Sequence, residues 1–299
     1  MKKRIEDRGW RIAKAGASAR PRAILYLLSS ILFVGFPAPA RADDVRRSSD
    51  YLLHLPGISG YHWVDKQLLA GLREGGFSGT IEVRDWTGDD PGLTALFARQ
   101  RNEREAQIVA NLIEKRFRDN PKDRIVLTAH SGGTGILVWA MENLPKDVKV
   151  DTVLLLAPAL SPRYDLTDAL THVRGGMYAF TSELDAFVLG AGTSTFGTID
   201  GVKCDAAGRW GFEMPESADA KQYEKLVPMP YDAKKWLREG NLGDHIGALN
   251  RGFARDVLAP LVVGGQDVVT RGPTSRPVEV HARGTGAKPQ AALPNPKAQ

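Results

Sequence analysis

Between residues 125 and 135 the chain reads Ile125-Val126-Leu127-Thr128-Ala129-His130-Ser131-Gly132-Gly133-Thr134-Gly135. An apolar run of β-forming residues ends at a serine, and a glycine-opened helical segment begins directly after it. No loop residues separate the two, so the strand must turn into the helix on the serine itself. Backbones that meet so sharply nearly touch, which requires small residues two before and two after the serine. Ala129 and Gly133 satisfy that limit. The hydroxyl of such a residue stands exposed above the edge of a sheet. Read as structure alone, the same residues make a tight turn with a helix-capping serine.

The flanking sequence alternates between short β-forming runs and longer stretches of helical spacing, which predicts an α/β fold with a mostly parallel sheet flanked by helices. Strands are expected at 51–55, 80–83, 124–128, 152–156 and 177–180. Helices are expected at 63–72, with Val64, Leu68, Leu69 and Leu72 on one face, at 103–117 and 135–141, and at 246–262, which closes the fold. About 20 residues separate the fourth strand from the fifth, enough for one crossover helix at 165–173 and not for a large cap domain.

The formal charge of +5 is unevenly placed. Residues 1–42 hold nine Lys and Arg against two acids, so the remainder of the chain carries about −2. No basic footprint is left for nucleic acid. The same residues read as an export signal: a basic stretch, an apolar run from Ala23 to Phe36, and Ala40-Arg41-Ala42 as a cleavage site. The run is shorter than the roughly 20 residues needed to span a bilayer, so cleavage is expected rather than a permanent anchor. The organisation expected is a signal at 1–42 with an uncleaved anchor as the alternative, an α/β domain at 43–264, and a flexible tail rich in Pro and Gly at 265–299. Cys204 is the only cysteine, so no intrachain disulfide forms, and a small buried hydrophobe is the expected role.

The turn at Ser131, with the order of elements around it, resembles the α/β-hydrolase superfamily over residues 50–264, and Ala129-His130-Ser131 is similar to the alanine-containing elbow of certain small bacterial lipases. That resemblance implies a serine nucleophile followed in the chain by an acid and then a histidine. A hydroxyl attacks only when a base removes its proton, and the base needs an acid to hold its tautomer. Three histidines follow Ser131. His172 lies on the crossover helix and is expected at the surface, and His281 lies in the tail. His245, in Gly240-Asn241-Leu242-Gly243-Asp244-His245, directly precedes the last helix, where the superfamily carries its base. Asp185 follows the fifth strand, in a stretch similar to the family's acid loop, and Val188 is expected to tuck into the core. Glu183 is the other candidate acid. Asp244 adjoins the histidine, where neighbouring side chains diverge.

Implied oxyanion donors are the amide of Gly132 and, from the glycine-bearing loop His54-Leu55-Pro56-Gly57-Ile58-Ser59-Gly60, the amide of Ile58. His130 is expected to point away from the nucleophile, while His54 and His62 are candidates to line the pocket. The chain has no HExxH, CxxC, phosphate-loop or dinucleotide-binding pattern, so neither metal nor cofactor is expected. Lack of a cap favours a small soluble or polymeric ester, a fold-level analogy. The aromatics Trp210, Phe212, Tyr223, Tyr231 and Trp236 are divided between core packing and a pocket wall, and the loop at 190–197 is expected near the site. The resulting expectation is an exported serine hydrolase. A non-catalytic exported binding protein and an acyltransferase remain the alternatives.

Overall fold

The computed structural model describes residues 50–89, 91–185 and 197–264. The expected signal, the tail with His281, Val188 and nearly all of the 190–197 loop lie outside them. Among the described residues, strands β1 (Tyr51–Leu55), β2 (Thr80–Val83), β3 (Ile125–His130), β4 (Val150–Leu156), β5 (Val173–Thr181) and β6 (Leu226–Pro230) form one sheet in the order β2-β1-β3-β4-β5-β6. Every neighbouring pair is parallel.

The helices fall on both faces, as a parallel sheet requires. On one face lie α1 (Trp63–Glu74) and the last helical segments, joined through Val64, Leu68, Leu72, Phe253, Ala254 and Leu258. On the other lie α2 (Leu93–Phe97), α3 (Arg99–Asp119), α4 (Gly132–Glu142) and α5 (Thr167–Thr171). Strand residues alternate between the two layers: Leu53, Leu127, Val153 and Met177 face one, and Leu52, Val126, Leu154 and Tyr178 the other. The chain leaves β1 towards α1 and leaves β3 towards α4, so the two loops diverge at adjacent strand ends. This opens a crevice at the carboxyl edge of the sheet, where ligands of such folds bind.

The differences from the sequence expectations have local causes. α3 starts four residues earlier than its apolar spacing suggests, its first turn anchored by buried Asn102, whose Nδ2 donates to Ala95 O at 2.8 Å. β6 is a strand that periodicity missed. Its Leu-Val-Pro-Met-Pro sequence carries two prolines, tolerated because it forms the sheet edge and needs no ladder on its outer side. The short helices α6 (Ala207–Trp210), α7 (Ala220–Tyr223) and α8 (Ala233–Trp236) flank it along the chain.

The closing helix is not continuous. A 3₁₀ turn at Gly247–Leu249 precedes Asn250, whose Oδ1 accepts from Gly252 N at 2.8 Å and starts α9 (Arg251–Phe253) afresh. A π turn at Ala254–Leu258 follows, with Ala259 N donating to Ala254 O, and then α10 (Ala259–Val263). Pro260 lacks the N–H that would close the preceding α-helical turn, and the widened turn sits immediately before it. Trp236 and Phe253 stand edge to face at 5.1 Å between ring centroids, and Phe180 lies 5.9 Å from each. This cluster ties β5, α8 and α9 together. Truncating fully buried Phe253 to Ala should therefore cost about 3–5 kcal/mol, read as a lowered urea midpoint with an unchanged folded-state spectrum.

Candidate active site

Ser131 ends β3 with φ 50° and ψ −125°, one of two non-glycine residues at positive φ among those described. Three contacts hold it there. Its amide donates to Leu156 O at 2.9 Å, and its carbonyl accepts from Thr134 Oγ1 at 2.6 Å. Thr134 Oγ1 in turn accepts from Ala159 N at 3.0 Å, so the elbow is stitched to the end of β4. The need for a small residue after the serine is explicit: a Cβ at Gly133 would lie 2.3 Å from Pro56 O. The helix thus packs directly against the end of β1.

His245 follows β6 and Asp185 follows β5, and the structure brings both to Ser131. His245 Nε2 lies 2.9 Å from Ser131 Oγ, while Nδ1 lies 2.9 and 3.1 Å from the two carboxylate oxygens of Asp185. A carboxylate only accepts, so Nδ1 carries the imidazole proton and Nε2 of the neutral ring is left to accept from the serine hydroxyl. The side chains of His245 and Asp185 are 13% and 8% exposed, and Ser131, expected from the sequence to stand exposed, is only 1% exposed, so these bonds are shielded from competing water. It is Asp185 rather than Glu183 whose carboxylate meets the histidine, with the turn closed by Asp185 N donating to Ser182 O.

The loop after β1 lies over the serine. A Cβ on Gly57 would be 3.4 Å from Ser131 Cβ, and one on Gly132 would be 2.6 Å from Ile58 Cγ2, so Ile58 and Gly132 are adjacent. Gly132 opens α4, where the first amides have no intrahelical acceptor. Three contacts that the sequence analysis did not identify clamp this loop. Trp86 Nε1 donates to Pro56 O at 2.8 Å, Asp85 Oδ2 accepts from Tyr61 N at 2.8 Å, and buried Asp65 ties α1 to β1 through His54 Nε2 at 2.9 Å. Asp65 also accepts from His62 N and so completes a capping box. Burial would raise the Asp65 carboxyl, but the hydrogen bonds from His54 and His62 outweigh it and hold its pKa below the usual value. The His62-x-x-Asp65 spacing was the one signal in sequence for this clamp. His54, fully buried against Asp65, does not line a pocket, and His62 serves as the helix cap.

His130 is buried behind the elbow. Its Nε2 lies 3.0 Å from the carbonyl oxygen of His245, which can only accept, so Nε2 carries the proton. The two imidazoles are 4.9 Å apart between centroids. Burial, then the neighbouring His245, push the pKa of His130 down to about 3.

Other expectations are corrected here. His172 is not at the surface: it is 5% exposed, and its Nδ1 lies 2.8 Å from Val148 O, because α5 is shorter than expected and His172 packs at the start of β5. Cys204 is half-buried rather than fully enclosed, and burial, followed by Asp200 and Asp205, pushes its thiol up to about 11. Trp236 is core, Phe212 and Tyr223 pack against the opposite layer, and Trp210 is 56% exposed. Among the described residues no group of three His, Cys, Asp or Glu side chains is arranged to hold a metal ion, and no helix is long and apolar enough to cross a membrane.

A parallel sheet with a serine elbow after β3, an acid after β5 and a histidine after β6 is the α/β-hydrolase fold. Comparison with protein-family models finds no match, and comparison with curated proteins finds none. Solved structures do match. Lipase B of Aspergillus fumigatus is 12% identical over 78% of this chain and 57% of its own, with a TM-score of 0.44. A cutinase-like protein from Cryptococcus sp. is 16% identical over 74% of this chain and 98% of its own (TM-score 0.40), and the esterase domain of a Rhodothermus marinus protein is 12% identical over 73% and 88% (TM-score 0.39). The fold assignment rests on the strand order and elbow of the chain itself.

A histidine kept neutral by burial destabilises the fold in acid. The unfolded chain binds a proton below about pH 6.5 that folded His130 refuses until about pH 3. Stability should therefore fall as the pH drops through that window. Urea denaturation at pH 7.5 and 4.5 should show a smaller acid loss for His130→Gln than for the wild type, and equal losses would remove His130 as the source.

Proposed function

We propose that this protein is an exported serine hydrolase that cleaves carboxylic esters through Ser131, His245 and Asp185. The observation that carries the reading is one imidazole within 2.9 Å of both a serine hydroxyl on a strained turn and a buried carboxylate. His245 Nε2 takes the proton as Ser131 Oγ attacks the carbonyl carbon, and Asp185 stabilises the imidazolium that forms. The oxyanion is received by the amides of Gly132 and Ile58, each donor contributing on the order of 3 kcal/mol at the transition state. His245 then gives its proton to the departing alkoxide. Water, deprotonated by the same nitrogen, cleaves the acyl-enzyme and regenerates the serine. No metal or cofactor enters the sequence of steps, and the substrate is a small-molecule or polymeric ester. The long basic and apolar leader supports export, and the charge of the remaining chain gives no support to a nucleic-acid partner.

A fluorophosphonate probe should label the purified wild type and not Ser131→Ala. Asp185→Asn, which removes the acceptor that fixes the tautomer, should lower kcat on p-nitrophenyl acetate by about 10³–10⁴-fold. A folded wild type that resists the probe would point instead to a non-catalytic binding protein. For export, N-terminal sequencing of the protein recovered outside the cytoplasm should begin at Asp43; full-length chain held in the membrane fraction would show an anchor.

A further inference from the structure

None of the reaction steps uses the buried imidazole of His130, the residue directly before the nucleophile. Side chains alternate along β3, so His130 shares a face with Val126, in the layer of α1 and the last helical segments. Two bonds join the dipeptide His130-Ser131 to His245. One runs from Ser131 Oγ to His245 Nε2 at 2.9 Å, the other from His130 Nε2 to the main-chain oxygen of His245 at 3.0 Å. The first meets the reacting end of the imidazole, and the second meets the backbone from which that imidazole projects. The two rings lie 4.9 Å apart at an angle of 51°. His130 also touches the loop over the serine: a Cβ on Gly57 would be 3.0 Å from His130 Nδ1 and 3.5 Å from its Cε1.

Proton transfer between Ser131 and His245 requires the pair to stay within about 0.5 Å of its productive geometry. Asp185 fixes the tautomer and rotation of the ring through Nδ1, but a ring can turn correctly and still stand too far away if its backbone shifts. The loop that carries His245 has bonds of its own. Gly243 N donates to Asn241 Oδ1 at 2.8 Å, Gly247 N to Asp244 O at 3.1 Å, and Tyr231 Oη to Asn241 O at 3.2 Å. These shape the loop without joining it to the strand of the nucleophile. The bond from His130 does join them, and it comes from a strand buried along its whole length, so the donor is as immobile as the serine. We propose that His130 is a positioning residue for the reaction: the proton its Nε2 donates to the His245 carbonyl sets the distance between base and nucleophile. The inference rests on the hydrolase reading above, and adds to it a side chain that touches neither substrate nor reacting atoms. Because the same ring packs against Gly57, next to Ile58, it also holds the base in register with the loop that receives the oxyanion.

The test separates reach from burial. Asn and Gln carry the same amide on side chains of different length, and only Gln extends as far as an imidazole Nε2. His130→Asn and His130→Leu should lower kcat on p-nitrophenyl acetate by about 10²-fold, the cost of a misplaced reacting group, with KM within about twofold of the wild type. His130→Gln, which restores the donor, should return kcat to within about fivefold of the wild type. Turnover is counted per site labelled to completion by the fluorophosphonate, so an unfolded fraction does not imitate the effect. If His130→Leu does not fold, the Asn and Gln variants carry the comparison. The proton between His245 Nδ1 and Asp185 gives a second readout free of substrate: its far-downfield proton NMR signal should broaden or vanish in His130→Asn and persist in the wild type and in His130→Gln. The proposal is overturned if His130→Asn keeps kcat within about threefold of the wild type, if His130→Gln loses as much as His130→Asn, if the loss lies in KM alone, or if the signal is the same in all three proteins. Failure of the probe to label the wild type at Ser131 would remove the hydrolase reading itself; a labelled wild type matched in turnover by His130→Asn would remove only this inference.

Discussion

The turn at Ser131 holds a residue with a Cβ at φ 50°, a conformation that costs roughly 1–3 kcal/mol and persists only where the surroundings leave no alternative. Here both partners of the turn are immobile. β3 is buried along its whole length, and α4 is buried through all but its last residue. Gly133 presses against the carbonyls that end β1, so the helix cannot rotate to relax the serine without driving backbone into backbone. Ala157, at φ 48°, repeats the arrangement at the end of β4, and its amide donates to Phe180 O on the next strand. Two strained residues thus stand side by side at the carboxyl edge of the sheet. One carries the hydroxyl; the other lies beside Asp185 and His245.

The remaining geometry depends on polar groups buried next to that turn. His130 links the residue before the serine to the backbone of His245, 115 residues away. It does so as a neutral imidazole, and that neutrality matters electrostatically: a charge on His130 would face the His245 ring 4.9 Å away and oppose the imidazolium that proton transfer creates. Burial, which drives its pKa down, keeps the pair compatible. On the other side, Asp65 fastens β1 to α1 while Asp85 and Trp86 fix the intervening loop, so the amides over the serine sit on a rigid support rather than a free loop.

How far each feature was legible follows from the range of the interaction behind it. The strands β1 to β4 and the helices α1 and α4 are short-period patterns written in contiguous residues, and they were read where they occur. β6 was hidden because Pro228 and Pro230 argue against a strand unless its edge position is known, and position in a sheet is not a local property. The last helix was read as one piece because its apolar spacing continues through Asn250 and Pro260, residues whose effect depends on hydrogen bonds being redirected or lost. His172 was misplaced for a related reason. A histidine among polar neighbours reads as exposed until the carbonyl of Val148 is seen to receive it. The clamps on the loop after β1 were missed because Asp85 and Trp86 belong to a connection with no periodic signal.

Taken alone, the amino-acid sequence determined that a serine ends a buried strand on a turn closed by glycines, that acidic and imidazole side chains follow in that order, and that the positive charge is gathered in the first 42 residues. These are matters of composition and near-neighbour sterics, which need no knowledge of distant contacts. Only the tertiary structure decided that a carboxylate 60 residues and a hydroxyl 114 residues away meet the same imidazole at 2.9 Å. The physical reason is strand order: β3, β5 and β6 end at the same edge of one parallel sheet, and hydrogen-bonded pairing across that sheet brings together side chains that the linear chain keeps far apart.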